Sequence, residues 1–238
     1  MASNPFATRF TRPGCIEPLD VMGRPVDLEM LLERARNLGG TAAIVGPHGS
    51  GKSTLLVRLA ETLVRHGQRA QRVRLHSWRD TPVAWAAIRQ AVPGSTVCID
   101  SWECISRPVR GLLRLAASVS GCGLLVTSHR AGEMPVLMRC STNPVLLRSI
   151  VRSLPGHELW QGTLICSADI EESFARHGGN LRESLYELYD RFEGRARHIR
   201  AIGGSGQDDR DDRDDRQCGI HESEDGISYV GAPERNLG

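Results

Sequence analysis

A chain of 238 residues, 40% of them apolar, is long enough to bury a full core and needs no metal or disulfide staple. Its seven cysteines are odd in number and scattered, with no Cys-x-x-Cys pair, and no apolar run approaches the roughly 18 residues of a membrane span, so a cytoplasmic protein with reduced thiols is expected. The charge of +2 hides an asymmetry: of the 30 basic and 28 acidic residues, four and ten lie in 204–238, leaving a net +8 on residues 1–203.

Taken in order, residues 1–20 place Pro5, Pro13, Gly14 and Pro18 around Phe6 and Phe10, which reads as an extended arm laid over the domain. Asp27 is placed to cap a helix with Leu28, Leu31, Leu32, Ala35 and Leu38 on one side, ended by Gly39-Gly40. Ala42 to Val45 reads as a buried strand, and Leu55, Leu56, Leu59, Ala60, Leu63 and Val64 give the apolar face of a helix that stops at Gly67. Between them runs Gly46-Pro47-His48-Gly49-Ser50-Gly51-Lys52-Ser53-Thr54, which matches the phosphate-binding loop Gly-x-x-x-x-Gly-Lys-Ser/Thr at every fixed position.

Each residue type there has a physical task. Glycines let successive backbone N–H groups turn inward on phosphates, and the helix that follows points its positive end at the same anion. Lys52 supplies a cation for the β and γ phosphates, while Ser53 offers a hydroxyl to Mg²⁺. Composition adds weight, because Lys52 is the only lysine among the 30 basic residues. A compact ammonium fits where a planar guanidinium would crowd the loop.

Further along, Ala70 to Leu75 reads as a strand, Trp78 to Thr81 as a turn, and Pro82 to Val92 as a helix. Thr96 to Asp100 is a buried strand ending in a carboxylate; Pro108 to Ser118 is helical, Leu124 to Thr127 is a third buried strand, and Pro135 to Arg139 is a further one. This alternation predicts a mostly parallel sheet covered on both faces, with ligands at the strands' C-terminal ends. From Asn143 the pattern is helical only, with Asn143-Pro144 as cap and first residue, and with Asp169/Glu172 and Asn180/Glu183 resembling capping boxes. Leu181, Leu185, Leu188 and Phe192 form a face that needs a partner surface. The tail repeats Asp-Asp-Arg over Asp208 to Arg216 and is expected to be disordered. The resulting division is an arm (1–20), an α/β domain (21–142), a helical lid (143–202) and an acidic tail (203–238).

Asp100 ends an apolar strand 48 residues beyond Lys52, where an unpaired charge at the core's edge is best explained by a nearby Mg²⁺. Glu103 is the only acid close enough in sequence to serve as general base; Ser101 stands directly after Asp100, where many hydrolysing P-loop enzymes carry glutamate, a departure that bears on the hydrolysis rate more than on binding. Thr127 follows the third buried strand and can sense the γ-phosphate; His129 reads as a turn residue, and Arg130 as either a charge-stabilising finger or a surface arginine. Together these parts resemble the AAA+ and STAND branches of P-loop NTPases over residues 21 to about 193. The carriers are Gly23-Arg24, Gly46 to Ser53, the strand ending at Asp100, Leu125-Val-Thr-Ser-His-Arg130, and Gly178-Gly-Asn-Leu-Arg182. The resemblance implies a three-layer α/β fold with a helical lid, Gly23 and Arg24 near an adenine, and Arg182 reaching the phosphates.

The function expected is an ATP·Mg²⁺-dependent switch, with slow hydrolysis coupled to lid movement that a protein partner reads. The alternatives are a small-molecule kinase with the same loop and a nucleotide-binding scaffold without turnover. The basic body also allows a nucleic-acid partner, but no stripe combines basic and aromatic residues, so a solvated Arg-rich surface is the plainer reading. Strand order separates the main readings: a strand between the phosphate-loop strand and the Asp100 strand supports the AAA+-like one, and direct adjacency supports the kinase.

Overall fold

The computed structural model describes residues 4–203 and 228–230. Its strands are β1 Thr41–Val45, β2 Ala70–Arg74, β3 Thr96–Asp100, β4 Gly123–Ser128, β5 Val136–Arg139 and β6 Ser228–Val230. Alternation at every second residue decides which face each side chain feeds. Ala42 and Ile44 of β1, Cys98 of β3 and Leu125 of β4 join one buried cluster, while Ala43, Val45, Val97, Ile99, Leu124 and Val126 join the other. A sheet buried on both faces needs a helical layer on each side.

The helices are α1 Thr8–Thr11, α2 Leu28–Asn37, α3 Lys52–Arg65, α4 Thr81–Gln90, α5 Arg107–Val119, α6 Pro144–Ser153, α7 His157–Trp160, α8 Ser167–Arg176 and α9 Leu181–Gly203. Leu31, Leu32 and Ala35 of α2 and Leu55, Leu56 and Leu59 of α3 cover the first face. Ala84, Ala87 and Ile88 of α4 and Leu113 and Ala117 of α5 cover the second. Every strand pairing is parallel, in the order β5-β1-β4-β3-β2-β6. β4 therefore stands between β1 and β3, the arrangement that separates this fold from the kinase-like one. The whole carries its catalytic candidates on the C-terminal edge of the sheet, where β1, β3 and β4 end side by side.

Helices α6 to α9 close on a third apolar cluster in which Leu147, Val151, Ile170, Leu181, Leu185, Leu188 and Phe192 meet. Asn143 caps α6 by accepting from the Leu146 amide at 2.7 Å. The start of α8 corrects the sequence reading. Asp169 is not the cap but the third residue of the helix, and its Oδ2 accepts from the Cys166 amide at 2.8 Å, so Cys166 holds the cap position. The one-turn helix α7 was not expected from the sequence, and it brings Trp160 into the cluster.

The N-terminal segment is not wholly extended, since α1 interrupts it. Phe6, 1% exposed, packs edge-on to Trp160 at 5.3 Å and near Phe192 at 6.1 Å, so the segment is anchored on α7 and α9. Asn4 ties the same place, its Nδ2 donating to the Tyr189 carbonyl and the Glu193 carboxylate. Of the C-terminal stretch read as a disordered tail, Ser228–Val230 lies beside β2; its other residues beyond Gly203 lie outside the described residues.

Candidate functional site

The turn from β1 into α3 is made of residues chosen for what they lack. Gly49 and Gly51 hold left-handed φ values of 69° and 85°, a region that side-chain-bearing residues enter at a cost. A Cβ on Gly49 would stand 1.8 Å from Asn180 Oδ1, at the start of α9. The loop and the start of α9 thus touch through a position where only hydrogen fits. Lys52 folds back, its Nζ donating to the carbonyls of Gly46 at 2.8 Å and Pro47 at 2.6 Å. Burial pulls its pKa below the ordinary lysine value, with Glu103 foremost among the charges that oppose the shift and Arg182 adding to it. A cation short of water and resting on two carbonyls has much to gain from an anion.

Behind the loop, three polar groups from three elements converge. Ser53 Oγ donates to Asp100 Oδ1 at 3.0 Å, and Thr127 Oγ1 donates to the same oxygen at 2.6 Å. Thr127 in turn accepts from the Ser101 amide at 2.9 Å. Ser101 has a φ of 65°, the one non-glycine residue with positive φ among the described residues. This left-handed step reverses the chain into a one-turn 3-10 helix, Trp102–Cys104, which delivers Glu103 to the site. Glu103 Oε1 pairs with His129 Nε2 at 2.5 Å, and Oε2 is buried with no hydrogen-bond partner among the described residues. The His129 ring lies 3.6 Å from that of His48, centroid to centroid, and its pKa is lowered, mainly by burial, against the pull of Glu103.

In front of the loop lies a cavity of about 340 Å³ between the N-terminal segment, the sheet edge and helices α6 and α9, within the size range of small-molecule sites. Gly49, Ser50, Gly51, Lys52, Ser53, Thr54 and Arg182 line it. Its apolar end is formed by Ile16, Leu19, Val26, Met138, Ile150 and Leu185. Gly46, Pro47 and His48 belong to the loop but not to the cavity wall, and Asp100, Thr127 and Glu103 stand behind it. Gly23 and Arg24, placed near an adenine by the resemblance, do not line this cavity. A Cβ on Gly23 would meet Ser149 Oγ on α6 at 2.0 Å, and Arg24 turns out to Asp20 at 2.8 Å; their neighbours Asp20, Val21 and Val26 reach the cavity instead. Arg130 is exposed and does not line the cavity.

Residues the sequence reading passed over include Arg74 and Arg139, which line the cavity from the ends of β2 and β5. The rule that ligands sit at strand C-termini was the available signal. The pairing of Glu103 with His129 had no such signal, because it depends on β3 and β4 being neighbours. Among the described residues no cluster of three or more His, Cys, Asp or Glu side chains could hold a metal. The Ser53 hydroxyl and Asp100 carboxylate, both hard oxygen donors, fit Mg²⁺ bound jointly with a phosphate.

Among solved structures, a variant of RuvB from Thermotoga maritima superposes with a TM-score of 0.51 at 14% identity, over 79% of this chain and 68% of that one. Combined with β4 standing between β1 and β3, this decides the fold. The chain has the AAA+ P-loop NTPase fold. Two further AAA+ likenesses are weaker. The T. maritima RuvB Holliday junction branch migration motor gives 0.49 at 18% identity over 74% of this chain, which spans 61% of that one. PCH-2 of C. elegans gives 0.37 at 12% identity, over 71% of this chain and 68% of that one. No protein-family model matches the sequence, and no curated protein matches it. Within the AAA+ fold, Ser53, Asp100 and Thr127 occupy the ends of adjacent elements around the loop, and α6 to α9 form the helices beyond the sheet. No described helix is long and apolar enough to cross a membrane.

Proposed function

We propose that this protein is an ATP·Mg²⁺-binding switch of the AAA+ kind, with slow ATP hydrolysis coupled to movement of α6 to α9 against the sheet. The observation that carries the reading is the Ser53–Asp100 contact at 3.0 Å beside the buried Lys52 ammonium. A hydroxyl, a carboxylate and a cation meet where the loop's amides would hold a polyphosphate. The loop from Gly46 to Thr54 binds the phosphates, and Lys52 leaves its carbonyl partners for the β and γ oxygens. Ser53 and Asp100 would hold the metal, which would supply positive charge against the phosphates. Thr127 fixes the Asp100 carboxylate.

Glu103 takes the proton from the attacking water, and neutral His129 orients its carboxylate. Arg182 faces the same cavity from α9 and reads the phosphate charge. Since Asn180, the residue capping α9, abuts Gly49, a change in the loop is transmitted to the lid without an intermediary. A protein partner reads the lid's position. The reducing cytoplasm is the compartment this reading assigns, in keeping with six free thiols among the described residues.

Lys52→Ala tests the assignment. Titration calorimetry with ATP and Mg²⁺ should show binding lost, with circular dichroism unchanged; unaltered affinity would remove the site from this loop. Binding without phosphate release by the parent protein would instead leave a scaffold, and release only onto an added small acceptor would leave a kinase.

A further inference from the structure

Two of the four tryptophans stand in solvent for no reason that folding supplies. Trp102 and Trp160 are 4% and 5% exposed, whereas Trp78 is 70% and Trp85 is 42% exposed. The exposed pair line one shallow groove with Arg79, Pro82, Ser106 and Val109. These residues come from three elements: the one-turn 3-10 helix Trp78–Asp80 that follows β2, helix α4, and the start of α5. Trp78, Arg79, Trp85 and Arg89 lie within one stretch of sequence, and the fold sets Ser106 and Val109 from the start of α5 beside them.

The charge around the groove is mainly positive. Arg79 carries its guanidinium 5.8 Å from the centre of the Trp78 ring. Arg89 is exposed one turn beyond Trp85 on α4, and Arg107 is exposed beside Ser106. The only acid on these three elements is Asp80, and its Oδ2 is engaged by the amides of His76 at 2.7 Å and Ser77 at 3.0 Å. Helices α4 and α5 contain no carboxylate at all. An apolar protein partner would find the tryptophans but no counterpart for a rim of arginines, and a second copy of this chain would set arginine against arginine. A chain that alternates flat apolar rings with anions matches both features.

We propose that this groove is a binding platform for single-stranded nucleic acid. Unpaired bases stack on the indoles of Trp78 and Trp85, and the flanking phosphates meet Arg79, Arg89 and Arg107. A duplex is a poor occupant, because its bases are already stacked on one another. The site is separate from the phosphate loop and needs no bound nucleotide. It does adjoin it: Arg110, one residue past Val109, donates to the main-chain carbonyls of Ile105 and Glu103 at 2.7 and 3.1 Å.

The test is titration of the full chain with an oligothymidylate of about 12 nucleotides, a length within the usual footprint of such sites, followed by tryptophan emission. Saturable quenching is expected, since the two buried indoles are shielded and the exposed pair are not. The double variant Trp78→Ala/Trp85→Ala should bind about ten- to a hundredfold more weakly, in keeping with the loss of base stacking. Its circular dichroism and melting midpoint should match the parent's, because neither side chain contributes to the core. Arg79→Ala should lower the slope of log affinity against log salt by about one. Absence of quenching in the parent, or equal affinity in the double variant, would overturn the proposal. So would displacement of the oligonucleotide by inorganic polyphosphate at equal phosphate concentration, which would reduce the groove to a charge patch. Saturation by an acidic amphipathic peptide with no response to the oligonucleotide would assign the groove to a protein.

Discussion

Glu103 owes its place to a single backbone torsion. With Ser101 at a φ of 65°, β3 ends in a reversal, and the acid three positions beyond Asp100 comes back toward Lys52 and His129. A left-handed step costs a non-glycine residue on the order of 1–2 kcal/mol. The Ser101 amide bond to Thr127 helps to offset this. In the proposed mechanism the same torsion lets the next turn supply the acid that does not directly follow Asp100. Glu103→Gln keeps the side chain's shape and its contact with His129 but removes the proton acceptor. Phosphate release should fall about a hundredfold or more, with ATP affinity within about twofold, as read by a phosphate-release assay beside calorimetry. Equal release by the two proteins would give water activation to another residue. Ser53, Asp100 and Glu103 were all legible from spacing within one motif or one strand end. His129 was not, because its partner lies 26 residues away in sequence and beside it only through the parallel pairing of β3 with β4.

The pairing of α8 with α9 rests on charge as much as on its apolar seam. Asp169, 4% exposed, receives both terminal nitrogens of Arg195 at 2.6 and 2.7 Å and Arg191 Nη1 at 2.9 Å. The Arg195 guanidinium, with the Cys166 amide and Arg191 behind it, holds this carboxyl far below the usual range although burial opposes the shift. The sequence made Asp169 look like a cap because an acid followed three residues later. Cys166 is a poor capping residue by type, so the true boundary could not be read without the arginines of α9 in view. A carboxyl whose folded pKa is depressed adds stability that is complete above its unfolded value near 4 and is lost as pH falls through the folded value. Asp169→Asn should therefore lower the unfolding free energy by about 2–3 kcal/mol at pH 7. The difference between parent and variant should shrink as pH drops below about 4. Urea titrations at several pH values check this, and a gap that stays constant with pH would mean that the charge of Asp169 is not what joins the helices.

At the scale of the molecule, the cavity exists only because three parts of the chain stay together, and the N-terminal segment is the part that spans them. Phe6 anchors it among Trp160 and Phe192 on the lid side, while Ile16, Leu19 and Val21 farther along wall the cavity beside the phosphate loop. The sheet and its helices could be read from periodicity because each strand carries its own pattern. The arm could not, since two phenylalanines among prolines announce that something is buried but not against what. If the lid moves with nucleotide, this segment must move or bend with it, so its anchor sets the geometry of the apolar end of the site. Phe6→Ala removes a fully buried ring, and the cavity left behind should cost about 3–5 kcal/mol of stability. Loss of the anchor should also weaken ATP binding, whereas Phe6→Leu, which retains much of the buried volume, should recover most of both. Urea unfolding and ATP titration on the two variants separate the effects. Should Phe6→Ala lose stability while binding ATP as tightly as the parent, the segment would serve to hold the lid together and the nucleotide would be gripped by the loop alone.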